Sequence, residues 1–72
     1  MSEITKNMYK RVAKIAIDRE LPIYKVEQLA DLPNGIIGKW RTGRGANINT
    51  IVKLAKALDV SVDYLVGITD EQ

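Results

Sequence analysis

The segment formed by residues 21–45 constrains the fold more than any other, because turn residues divide it into two short helices. Val26, Leu29 and Ala30 recur at the spacing of one helical face, which predicts a helix over about residues 23–30 with a buried apolar side. The sequence DLPNG then breaks this pattern with residues that favour turns and helix starts. Two helices separated by a tight turn are therefore predicted.

The second of these helices is predicted over about residues 33–41. Pro33 would lie in its first turn, where proline is best tolerated because it has a fixed φ and no N–H. Ile37 and Trp40 lie three residues apart and are predicted to face the interior. The other faces are small, polar and basic, and carry Asn34, Gly35, Gly38, Lys39 and Arg41.

An amphipathic helix is predicted near the N-terminus, over about residues 6–19. Ile4 would extend its apolar face, which is formed by Met8, Val12, Ile15 and Ala16. No alternating strand pattern occurs in the 72 residues. The sequence therefore predicts a compact all-α domain.

Two more helices are predicted within residues 47–67. Asn47 is a suitable N-cap for a fourth helix, and Ser61 for a short fifth helix that Gly67 would end. Residues 68–72 are predicted to fray. In the fourth helix the residues predicted to be buried are Ile48, Ile51, Leu54, Ala55 and Leu58.

Composition argues against several classes of function. The chain contains no Cys and no His, which disfavours disulfides, the usual zinc finger and His-dependent catalysis. No apolar run approaches the ~18 residues that a membrane span requires. Asp18, Glu20 and Glu27 are interpreted as surface charges because their spacing forms no acid–base pair. We therefore expect neither an enzyme nor a metal, a cofactor, a small-molecule substrate or a membrane partner, and a Cys-free chain fits the cytoplasm.

The net charge of +2 is unevenly distributed. Residues 1–46 carry nine Lys or Arg and five Asp or Glu, a net charge of +4, whereas residues 47–72 carry two and four, a net charge of −2. A basic part that holds the two short helices, beside an acidic part, suits a protein that contacts phosphates with one end. Solvated surface helices would explain the asymmetry equally well.

The region from about Met8 to Gly67 resembles the lambda-repressor-like DNA-binding domains, the Cro/CI-type helix-turn-helix family of phage and bacterial regulators. The resemblance is carried by NGIIGKW with its Gly-containing loop, and by INTIVKLAKALDVSVDYLVG. It implies a single five-helix domain over residues 1–72. The helix-turn-helix would lie at about residues 22–42, and the C-terminal helices at about residues 47–67.

The function that this resemblance implies is sequence-specific binding of double-stranded DNA by a transcriptional regulator. It would be a small phage-type repressor that reads a palindromic operator as a homodimer, through the helix at about residues 33–41. The alternative is an antitoxin or another protein-interaction module of the same fold, which would have a protein partner.

By match to the family's pattern, base contacts are assigned to five residues. An Asn can pair with adenine and a Lys can donate to guanine, although Asn34 could instead cap a helix and Lys39 could be a solvated charge. The resemblance places Ile37 in the core, which leaves its neighbour free to contact a thymine methyl group. The five residues are Asn34, Gly35, Ile36, Gly38 and Lys39.

Contacts with the DNA backbone are assigned to five others. Arg41 and Arg44 flank the Gly-rich loop, and such contacts position a protein without specifying sequence. Trp40 is expected to be buried, with its indole N–H reaching a phosphate. The set consists of Tyr24, Lys25, Trp40, Arg41 and Arg44.

Several positions depart from the family's pattern. Pro22 and Ile23 replace a Ser or Thr cap and a Gln, so that phosphate contact is lost or passes to a neighbour. Glu27 stands where a small residue is usual, which indicates that its helix is rotated or shifted by one residue. Asp31 stands at a turn position usually held by Gly, and is expected to adopt the left-handed conformation.

The dimer interface is assigned to Val66 and Ile68. The basic part must face the DNA, so the interface should come from the acidic C-terminal end. This end holds more apolar residues than one short helix can bury. The alternative is that these residues pack against the first helix and complete the core.

Overall fold

The computed structural model describes residues 3–72, which contain helices and turns but no strand. The prediction of a compact all-α domain is confirmed for these residues, whose principal extents are 24 × 24 × 20 Å. A 3-10 turn at Trp40–Thr42 continues the third helix. The five helices are α1 (Glu3–Asp18), α2 (Ile23–Leu29), α3 (Ile36–Lys39), α4 (Ile48–Leu58) and α5 (Val62–Val66).

One apolar core joins all five helices. Its α1 face is formed by the four residues that the sequence predicts, Met8, Val12, Ile15 and Ala16. The expected extension through Ile4 is wrong, because Ile4 is exposed and Thr5 takes the buried position. Burial of this stripe, rather than helix propensity alone, is what stabilises such a helix in a small domain.

The buried face of α2 differs from the prediction by a rotation. Val26 and Ala30 are buried as expected, but Leu29 is 57% exposed and Glu27 is only 3% exposed. The interpretation of Glu27 as a surface charge is therefore wrong, and the rotation or one-residue shift of α2 relative to the family's pattern stays a prediction. Asp31 follows α2 with a φ of +56°, the left-handed conformation expected for it.

The third helix is shorter than predicted. It begins at Ile36 rather than Pro33, because Gly35 has a φ of +88° and a left-handed residue cannot continue a right-handed helix. Residues 33–35 therefore form the turn. Ile37 and Trp40 are fully buried, as the three-residue spacing predicts.

The ends of α4 and α5 follow the predicted capping chemistry. The Asn47 carboxamide oxygen accepts from the Thr50 N–H at 3.0 Å, and the Thr50 hydroxyl accepts from the Asn47 N–H at 3.2 Å. Ser61 caps α5 by accepting from a backbone N–H at 3.0 Å, and Gly67 ends it with a φ of +93°. The prediction that Ile48 is buried is wrong, since it is 66% exposed.

The C-terminal tail is bound rather than frayed. The Arg11 guanidinium donates to the Thr69 carbonyl and to the Asp70 carboxylate, both at 2.9 Å, and lies 4.6 Å from the centre of the Tyr64 ring. The Ser61 N–H also donates to the carbonyl of the last residue at 2.9 Å. These bonds tie the tail to α1 and α5.

Candidate nucleic-acid interface

The outer face of α3 and the turn before it form one exposed surface. The structure brings together the five residues assigned to base contacts, because they lie within six consecutive positions. Ile36 is half-buried and packs against the core, whereas the other four, Asn34, Gly35, Gly38 and Lys39, are exposed. Of the two consecutive isoleucines, Ile37 belongs to the core, as expected.

Asn34 is free to contact another molecule. It lies in the turn, and its side chain makes no hydrogen bond with any residue of the described chain 3–72, so it does not cap α3. An unbonded carboxamide on an exposed turn retains both its donor and its acceptor groups.

The N-terminus of α3 is capped from α2 rather than locally. Glu27 accepts from the Gly35 N–H at 3.1 Å and from the Ile37 N–H at 2.9 Å, one bond to each carboxylate oxygen. Sequence reasoning missed this contact. The signal that could have found it was an acidic residue at a slot of α2 where the family usually has a small residue, ahead of a helix whose N-cap is a glycine.

Lys39 and the loop after α3 are packed together. The Lys39 carbonyl accepts from the Thr42 hydroxyl at 2.8 Å and from the Arg44 N–H at 3.3 Å. A Cβ at Gly45 would lie 3.4 Å from the Lys39 Cβ, and the φ of Gly45 is +86°. The loop backbone therefore supports the stem of Lys39 while its ammonium group stays exposed.

Trp40 does not reach the surface. Its side chain is fully buried, and its indole N–H has no hydrogen-bond partner within residues 3–72. The expected burial is confirmed. The phosphate contact assigned to Trp40 does not fit this conformation, because a buried donor cannot meet an external anion.

The other residues assigned to the DNA backbone are all exposed. Tyr24 and Lys25 lie in the first turn of α2, and Arg41 and Arg44 lie beside the Gly-rich loop. From Asp31 to Asp59 the intervening chain carries five Lys or Arg and no Asp or Glu. Within residues 3–72, none of the cations of this surface forms an ion pair, and these are Lys25, Lys39, Arg41 and Arg44.

The two residues assigned to a dimer interface have different environments. Ile68 is 75% exposed, whereas Val66 is half-buried and packs against the core. The alternative, packing within the domain, therefore describes part of Val66 but not Ile68. Ile68 is held next to the Arg11-bound residues of the tail.

The described residues 3–72 include no group of His, Cys, Asp or Glu that could hold a metal ion. Nor is any helix in that range long and apolar enough to cross a bilayer. Comparisons with protein-family models, with curated proteins and with solved structures found no significant match to this chain. A function must therefore be argued from the surface itself.

Proposed function

We propose that this protein is a sequence-specific double-stranded DNA-binding regulator with a lambda-repressor-like helix-turn-helix, a small phage-type repressor that acts in the cytoplasm. The observation that carries the proposal is the division of α3 into two sides. Ile37 and Trp40 are fully buried, while the outer side presents unpaired polar and basic groups. A short helix whose apolar side is buried in the core and whose exposed side is polar is suited to binding in the major groove.

The residues of the front have separate roles in this proposal. Asn34 and Lys39 hydrogen-bond base edges, and the exposed part of Ile36 contacts a thymine methyl group. The absence of a side chain at Gly38 lets the backbone of α3 approach the bases closely. Packing within the protein does not require a glycine at this position, because a Cβ there would meet no atom within 4 Å. The surrounding contacts with phosphates come from Tyr24, Lys25, Arg41 and Arg44.

A dimer would double this small reading surface. Two copies joined through Ile68 and the exposed part of Val66 would place two α3 helices in successive major grooves, about 34 Å apart, on a palindromic site. The apolar patch is small, which favours pairing on DNA over a stable free dimer.

Selection of bound fragments from random double-stranded DNA tests this function. We expect a consensus with two-fold symmetry, and an affinity for it that falls steeply and linearly with salt on logarithmic axes. Recovery of no consensus would contradict the proposal and favour the protein-interaction module. The matched control is the Lys39→Ala variant, which should relax the consensus at one position of each half-site.

A further inference from the structure

We infer that Glu27 is a positioning residue for the DNA-reading surface, because it holds the turn and α3 at a fixed angle to α2. This inference rests on the proposed function. Glu27 itself cannot contact DNA, since it is buried beneath the surface that α3 presents.

Glu27 accepts hydrogen bonds from three backbone N–H groups among the ten residues that follow it. Its backbone carbonyl accepts from the Leu32 N–H at 2.9 Å, immediately before the turn. Its carboxylate accepts from the Gly35 N–H and the Ile37 N–H, at the beginning of α3. One residue of α2 therefore fixes both ends of the turn, and the two oxygens of a planar carboxylate fix a direction as well as a distance.

The third helix needs such an anchor because it is too short to hold its own direction. It has four residues, and its N-cap is a glycine without a side chain to bond the first amides. A single helical turn is unstable by itself in water, so its orientation depends on tertiary contacts. One of the two amides bound by Glu27 belongs to Gly35, which is itself assigned to base contacts, and the other belongs to Ile37, which lies between the assigned residues Ile36 and Gly38.

Replacing Glu27 by glutamine gives two opposite expectations, which separate geometry from charge. Removal of a negative charge raises the net charge from +2 to +3 and by itself favours binding to any DNA. A glutamine has one acceptor oxygen in place of two, so at least one of the two amides loses its partner and α3 can tilt. If Glu27 positions α3, Glu27→Gln therefore weakens specific binding, although the loss of its negative charge alone would strengthen binding to DNA.

The experiment compares Glu27→Gln with Glu71→Gln, which makes the same charge change in the exposed tail. Affinities for the selected operator and for a scrambled duplex are measured below the melting temperature of every variant. We expect the ratio of the two affinities to fall about tenfold for Glu27→Gln and to be unchanged for Glu71→Gln. Hydrogen exchange at the Gly35 and Ile37 amides should accelerate in Glu27→Gln alone.

The outcomes are distinguishable. A folded Glu27→Gln with the same affinity ratio as Glu71→Gln would overturn the inference, even with reduced stability. If Glu27→Gln does not fold, Glu27→Asp replaces it, since its side chain keeps the charge but is one methylene shorter. An unchanged ratio in that variant would overturn the inference as well. Absence of specific binding by the wild-type protein would refute the proposed function instead, while the exchange of the two amides would still test the anchor.

Discussion

Replacing Gly38 by alanine should make the protein more stable and its DNA binding weaker. Gly38 lies inside α3, and an added Cβ would meet open space on the protein side. Alanine is favoured over glycine in a helix interior by up to about 1 kcal/mol. For a domain of this size, that gain raises the melting temperature by up to about 4–8 °C.

The expected effect on DNA binding has the opposite sign. In the proposed complex the new methyl group enters the space occupied by a base edge, and overpacking of a close interface costs about 1–3 kcal/mol. The operator affinity should then fall roughly 5- to 150-fold. Nonspecific affinity should change little, because the phosphate contacts of Arg41 and Arg44 remain.

Thermal unfolding followed by circular dichroism and fluorescence anisotropy with the selected operator measure the two effects. The control is Asn7→Ala, an exposed substitution on α1 that also raises helix propensity but lies outside the proposed surface. A Gly38→Ala protein that is more stable yet binds the operator as tightly as the wild type would refute the close approach. A less stable variant would refute the stability reasoning.

Five further substitutions test other parts of the account. Lys39→Ala should weaken the free energy of binding to the operator by about 1–3 kcal/mol and change binding to other DNA little. Arg44→Ala should weaken binding to all duplexes and flatten the salt dependence, and competition assays distinguish the two variants. Arg11→Ala should lower the free energy of unfolding by about 2 kcal/mol, since two charged hydrogen bonds and a ring contact are lost. Asp70→Ala should lower it much less, because Asp70 is exposed. Equal losses of stability for the two variants in chemical denaturation would contradict this. Ile68→Asp should abolish cooperative pairing on the operator while the monomer stays folded, and sedimentation showing an intact pair would place the interface elsewhere.

Features encoded by neighbouring residues could be predicted from the sequence. The caps at Asn47 and Ser61 and the stop at Gly67 depend on bonds within a few positions, so a single-sequence pattern identifies them. The burial of Ile37 and Trp40 also follows from helical spacing. The burial of these two residues gives α3 a buried side and an exposed side, and the exposed side is the candidate surface.

Features that depend on distant partners could not be predicted. Glu27 looks like a surface charge until its amide partners, eight and ten residues away, are in place. Arg11 binds tail residues 58 and 59 positions away, which no local pattern reveals. The late start of α3 follows from the left-handed conformation of Gly35, and a glycine is compatible with a helix as well as a turn.

The most direct test of the central claim is an NMR titration of the protein with its selected operator, in which every backbone amide is followed. If the front of α3 and the loop after it read the DNA, the largest shifts should fall within residues 34–45 and in the first turn of α2. The amides of residues 68–72 should respond only to pairing of two copies. Largest shifts along α1 or in the tail, with residues 34–45 unchanged, would contradict the account.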